Sequence, residues 1–301
     1  MVNLLQSVCC PYFLFGTGSN EHNQLLFPSE KHEVDIGNGD WKEMEEVHEL
    51  MEMLLAVPRR NEESTSGGND NDHSSKSKSL HAGGGHSALL TTWGDLYLWG
   101  WNDAGQLGRT ATLLQSTCTS KSYFRPIPPL PNIQVETVSL GHTHTLVIER
   151  GTGHLFGFGD NGRGQVTGCV EGNNGANDMY HVPRAPMGLS EECFVDAAAG
   201  LFHSAAVTVQ GELITWGCGR FGQCLPMVDL EDRCDHNCDA SSTVGRWRPP
   251  DGSKLVKVAC GRRHTITLDE HGRVWTLGDN KYGQLGRSSS ATVSNVSNLT
   301  W

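Results

Sequence analysis

Four stretches of the chain carry one signature in one register, and this restricts the fold more than any other feature. Gly83-Gly84-Gly85-His86, Gly141-His142-Thr143-His144, Gly200-Leu201-Phe202-His203 and Gly261-Arg262-Arg263-His264 each open a short apolar run. A second run follows, ending in Trp99-Gly100, Phe158-Gly159, Trp216-Gly217 or Leu277-Gly278, and then a turn containing Gly-Gln. The histidines lie 58, 59 and 61 residues apart, and from each to its turn glycine (105, 164, 222, 283) the separation is 19, 20, 19 and 19. Two apolar runs joined by a glycine-bearing turn such as Thr92-Trp93-Gly94-Asp95 read as a β-hairpin. One hairpin-rich unit per period near sixty residues, without long helical patterns, predicts an all-β propeller. Its blades are expected near residues 82–131, 138–190, 196–250 and 256–287.

The segment Leu14-Phe15-Gly16-Thr17-Gly18-Ser19-Asn20 parallels Leu155-Phe156-Gly157-Phe158-Gly159-Asp160-Asn161, and so reads as an N-terminal half-blade. Five second halves, ending at Gln24, Gln106, Gln165, Gln223 and Gln284, therefore face four first halves. Unpaired sheet edges are unfavourable. The count predicts a propeller incomplete at its C-terminal end, or closed by another chain, with its first strands less well paired than the rest.

The sequence Gly-x-x-His-(Ser/Thr), then aromatic-Gly, then Asn-x-x-Gly-Gln-Leu-Gly resembles the repeat of the regulator of chromosome condensation family. Details such as Gly83-Gly84-Gly85-His86-Ser87-Ala88 and Ala198-Ala199-Gly200-Leu201 are similar to its secretion-regulating guanine nucleotide exchange factor branch. The resemblance implies a β-propeller, typically of seven blades, and a function exerted through protein contacts. It also implies that the two residues between glycine and histidine help to build an exchange surface for a small GTPase. Those pairs are Gly84-Gly85, His142-Thr143, Leu201-Phe202 and Arg262-Arg263, of which only His142 is of the family's expected acidic or histidine type.

Composition narrows the classes. Glycine, 36 of 301 residues, is well above the usual roughly 7% and suits many tight turns. A net charge of −11 disfavours nucleic acid and anionic membranes as partners, and no apolar run approaches the roughly 18 residues of a membrane span. Residues 1–15 lack a basic leader and are broken by Asn3, Gln6, Ser7 and Pro11, so they are not read as an export signal. The expected location is cytoplasmic, with the nucleus as the alternative. The ten cysteines are then expected to be reduced thiols. Cys234-Asp235-His236-Asn237-Cys238 carries ligand types at short spacing, with Cys218 and Cys224 upstream, but a structural zinc needs about four ligands converging tetrahedrally; the stretch is read as a solvated acidic loop, and no metal and no cofactor are expected.

One helix is predicted over residues 40–57. Trp41, Met44, Val47, Leu50, Met51, Leu54 and Leu55 follow three- and four-residue steps, Asp40 with Glu43 makes a capping box, and Pro58 ends the run. Residues 59–79 hold no aliphatic or aromatic side chain and are expected to be disordered. Both belong to an insertion within one propeller domain spanning residues 1–301.

No nucleophile elbow, P-loop or zinc-protease helix is present. The two G-x-G-x-x-G matches, at residues 157–162 and 217–222, recur at one point of the repeat and open no helix. His86, His144, His203 and His264 recur in every unit, as do Gly100, Gly159, Gly217 and Gly278. Catalysis needs a histidine once, so these are assigned to structure, each tying its blade's backbone by a hydrogen bond. The binding candidates are His142, Leu201, Phe202, Arg262 and Arg263, the last four expected on one face. Two functions follow: an interaction scaffold without catalytic chemistry, or an exchange factor or regulator of a small GTPase.

Overall fold

The computed structural model describes residues 15–16, 42–43, 77–108, 133–169, 179–225, 244–287 and 293–298. Among them every element of regular structure is a strand. A short pair, β1 (Phe15–Gly16) and β2 (Lys42–Glu43), comes first. Four antiparallel meanders follow in chain order. The first is β3 (Ser77–Ala82), β4 (His86–Thr91) and β5 (Leu96–Gly100). The second is β6 (Val135–Leu140), β7 (His144–Glu149), β8 (Leu155–Asp160) and β9 (Met179–Arg184). The third comprises β10 (Phe194–Ala199), β11 (His203–Thr208), β12 (Leu213–Gly217) and β13 (Gly245–Trp247). The fourth comprises β14 (Leu255–Cys260), β15 (His264–Asp269), β16 (Val274–Gly278) and β17 (Val293–Asn298).

Each blade repeats the same register. The motif histidine always lies opposite the glycine that ends the next strand: His86 opposite Gly100, His144 opposite Gly159, His203 opposite Gly217 and His264 opposite Gly278. That glycine has a positive φ of 92 to 115° in all four blades, which other residues rarely adopt. A Cβ on Gly159 would also stand 2.5 Å from the Thr143 carbonyl oxygen. The first strand of every blade carries a register shift at its start, between Ser77 and Ser79, Val135 and Thr137, Phe194 and Asp196, and Leu255 and Lys257. A bulge repeated at one position increases the local twist of each blade in the same way.

Blades stack face to face, so the inner strands read as near-continuous apolar runs rather than alternating ones. Ala88, Leu90 and Leu98 pack with Val138, Leu140 and Phe158 between the first two blades. Leu146, Ile148, Ala197, Ala199 and Trp216 fill the next interface, and Ala205, Val207, Val258 and Leu277 the third.

The motif's first glycine is required by the same packing. A Cβ on Gly200 would lie 2.2 Å from His203 Cε1 and 2.9 Å from the Gly261 carbonyl oxygen, with His203 itself fully buried. Gly200→Ala is therefore expected to cost about 1–3 kcal/mol through overpacking. Gly219→Ala, where the nearest atom is Cys224 Cβ at 3.6 Å, is expected to stay within about 0.5 kcal/mol of the parent. Urea unfolding of the two variants beside the parent checks both.

Several expectations are corrected. Lys42–Glu43 are extended and bonded to Phe15–Gly16, so a helix does not run through the start of residues 40–57; the remainder of that segment lies outside the described residues. Ser77–Ser79 belong to β3, which shortens the tract expected to be disordered, whose other residues also lie outside the description. The blades begin one to five residues earlier than the sequence pattern suggests, and β17 adds a fourth strand beyond residue 287. Phe15–Gly16 pair with β2 and β17 pairs with β16, so the two do not pair with each other.

Candidate protein-interaction face

The Gly-x-x-His turns all sit at one end of their sheets, because each joins the first strand of a blade to the second. In every blade the residue just before the histidine accepts a backbone hydrogen bond from the residue just after the strand-ending glycine. The donors are Trp101 to Gly85, Asp160 to Thr143, Cys218 to Phe202 and Asp279 to Arg263, at 2.8 to 2.9 Å. The turns are also laced across blades, Gly84 N–H donating to the Gly141 carbonyl and His142 N–H to that of Gly200. Beside them lie the Gly-Gln turns. There the glutamine oxygen accepts the N–H two residues earlier, from Ala104, Arg163, Phe221 and Tyr282 respectively.

The repeated histidines lie beneath this face. His86 Nε2 is 2.8 Å from Thr145 Oγ1, His144 Nε2 is 3.0 Å from Ser204 Oγ, and His203 Nε2 is 3.1 Å from Thr265 Oγ1. Each of those hydroxyls donates its proton to a glutamine carbonyl of the preceding blade, Gln106, Gln165 or Gln223. A hydroxyl has one proton, so each of these histidines must donate from Nε2. Burial pushes these histidines down to about 3, about 3 and about 4. The expected tie within one blade is thus corrected: the bond runs from each blade to the next. His264 ends the described series and is only half buried, with its affinity for protons lowered by burial.

The upper layer is exposed or half-exposed. His142 stands between Trp101 and Phe202, its ring centroid 6.1 Å from the first and 6.3 Å from the second, edge-on to both. The Arg263 guanidinium lies 4.1 Å from the centre of Phe221. The structure therefore sets His142 against Phe202 and Arg263 against Phe221, on turns at the same end of their sheets, with Leu201 and Arg262 in those turns. Trp101, Arg220 and Phe221 are functional candidates that the pattern analysis missed. Their signal was positional: Trp101 follows the strand-ending glycine, and Arg220-Phe221 fill the turn of the blade whose Asn-x-x-Gly asparagine is replaced by Gly219.

Among the described residues no group of three or more histidine, cysteine, aspartate or glutamate side chains could hold a metal. The Cys234–Cys238 stretch lies outside them. Cys224 is buried and Cys260 partly so, and burial pushes both thiols up, the second to about 12, which leaves them in the unreactive thiol form. Cys169 is disulfide-bonded, which overturns the expectation that every cysteine is reduced.

Models of the "Regulator of chromosome condensation (RCC1) repeat" match residues 94–148 and 152–207, and, in a second form, residues 194–223 and 255–284. The chain belongs to this repeat family. It is 32% identical over 216 residues to the ultraviolet-B receptor UVR8 of Arabidopsis thaliana, covering 71% of this chain and 43% of that protein. It is 29% identical over 226 residues to the secretion-regulating guanine nucleotide exchange factor of Bos taurus, again covering 71% of this chain and 43% of the other. The chain thus spans less than half the length of these two relatives. The crystal structure of human WBSCR16 superposes with a TM-score of 0.65 at 19% identity, over 95% of this chain and 62% of that one, and supports the fold.

Proposed function

We propose that this propeller binds a protein partner through the face of its Gly-x-x-His turns and contributes no covalent chemistry. The observation that carries this is the row Trp101, His142 and Phe202, together with the stack of Arg263 on Phe221 in the turns of the third and fourth blades, on turns laced by inter-blade hydrogen bonds. Aromatic and arginine side chains on a preorganised surface are the usual anchors of an interface. The buried histidines are unsuited to acid–base work, since each is neutral, desolvated and bonded to a neighbouring blade.

The second reading is that the partner is a small GTPase whose nucleotide exchange the face promotes. A relative named as a guanine nucleotide exchange factor favours it. A panel of GTPases loaded with fluorescent nucleotide separates the two. Accelerated release that disappears with His142→Ala supports exchange, whereas stable capture without release supports a scaffold. In either case Phe202→Ala is expected to weaken the complex by about 2 kcal/mol while leaving the unfolding midpoint unchanged. Capture unaffected by Phe202→Ala would remove this face from consideration. A cytoplasmic or nuclear location remains part of the proposal, and imaging of the tagged protein tests it.

A further inference from the structure

The face differs from the rest of the molecule in charge. Among the described residues, counting the Gly-x-x-His turns and the Gly-Gln turns that follow the strand-ending glycines, its bases are Arg163, Arg220, Arg262, Arg263 and Lys281 and its acids Asp103, Asp160 and Asp279. That net positive surface sits on a chain of net charge −11. Other arginines are matched internally: Arg150 lies on Glu136, Arg246 on Glu192 and Glu212, Arg248 on Glu212, and Arg273 on Asp251 and Asp269. Arg220, Arg262 and Arg263 have no carboxylate partner among the described residues. Asp279, the acid of the neighbouring turn, is buried, with Oδ1 accepting the Lys281 N–H.

We propose that Arg220, Arg262 and Arg263 form a carboxylate-recognition cluster for an extended acidic segment of a protein partner, whose apolar side chains lie along Trp101, His142 and Phe202. The proposal deepens the reading of this face as the binding surface and rests on it. Stacking on Phe221 occupies the flat side of the Arg263 guanidinium and orients it, leaving its in-plane donors for a carboxylate. The aromatic spacings of 6.1 and 6.3 Å are close to the roughly 6.6 Å between alternate side chains of an extended strand. A segment with apolar residues at alternate positions therefore meets each ring in turn, and its continuation towards the third and fourth blades meets the arginines. These belong to two blades, Arg220 to the third and Arg262 and Arg263 to the fourth, which suits several single charges along a chain. The overall negative charge of the protein opposes a long polyanion such as nucleic acid.

The test uses the full chain and a fluorescein-labelled peptide, on the order of ten residues, with leucines at alternate positions followed by glutamates at alternate positions. Anisotropy is expected to show binding that weakens as salt is raised. Arg263→Ala and Arg262→Ala should each weaken it about tenfold or more, a size common for charge-assisted contacts. Arg263→Lys should rescue little, because an ammonium lacks the planar fork. Arg248→Ala, outside the face, should change nothing. Absent binding, or binding indifferent to the arginine substitutions, overturns the proposal. Tighter binding of a phosphoserine version or of a single-stranded oligonucleotide overturns the carboxylate assignment. If Phe202→Ala abolishes capture of a folded partner while the acidic peptide fails to bind, the face stands and the cluster's role falls.

Discussion

Between about pH 6 and pH 5 the stability of the blade stack is expected to fall by about 4 kcal/mol per pH unit, from three histidines alone. An unfolded histidine titrates near 6.5, whereas His86, His144 and His203 hold no proton in the native state until about 3, about 3 and about 4. The folded pKa lies below the unfolded one, so the unfolded chain binds more protons throughout this window. Stability is then full above 6.5 and is lost as the pH falls. At pH 5 nearly all unfolded imidazoles are charged, so unfolding takes up about three protons, each worth about 1.4 kcal/mol per pH unit. Asp196 works in the opposite direction, because burial raises its carboxyl. Urea titrations across this range, followed by tryptophan fluorescence, give the slope directly. Replacing His144 by Gln should lower the slope by about one proton, or about 1.4 kcal/mol per pH unit. An unchanged slope in that variant would show that His144 does not hold its neutral form in the native protein.

Trp216→Ala is expected to destabilise the protein by about 3–5 kcal/mol. The side chain is wholly buried between the second and third blades, packed in the cluster that includes Leu146, Ala197, Ala206 and Val244. Its indole Nε1 donates to the Gln165 carbonyl at 3.0 Å, the same oxygen that accepts the Ser204 hydroxyl. Truncation therefore empties a large volume and removes one of two donors from the link that joins these blades. Trp216→Phe keeps most of the apolar contact and leaves Ser204 on Gln165, so it should cost only about 1–2 kcal/mol. Denaturant unfolding of the pair distinguishes loss of packing from loss of the hydrogen bond. Equal costs would mean that the indole N–H carries the effect.

The repeat was legible because its constraints are local. A glycine that must adopt positive φ opposite a histidine, and a glutamine that must cap its own turn, leave fixed residues at fixed spacings. The helical period in residues 40–57 was equally clear on paper, yet Lys42–Glu43 pair with Phe15–Gly16. A pairing across more than twenty residues of sequence leaves no trace in a local hydrophobic period. The binding candidates show a similar division. His142, Phe202 and Arg263 were visible as the variable pair inside a constant motif, while Trp101 and Phe221 were not, since they join the row only when neighbouring turns are brought together.

What the sequence determined by itself was the blade: four hairpin units, with their histidines and glycines, on an acidic chain. What only the tertiary structure decided was the joint between blades. The recipient of each histidine's proton is a hydroxyl 59 to 62 residues further on, which in turn bonds to a carbonyl of the blade behind it. The same side chain could serve its own blade or the next with an identical local pattern. The choice is made by stacking, because closing the apolar faces of adjacent blades brings the hydroxyl within reach and removes the water that would otherwise solvate the imidazole.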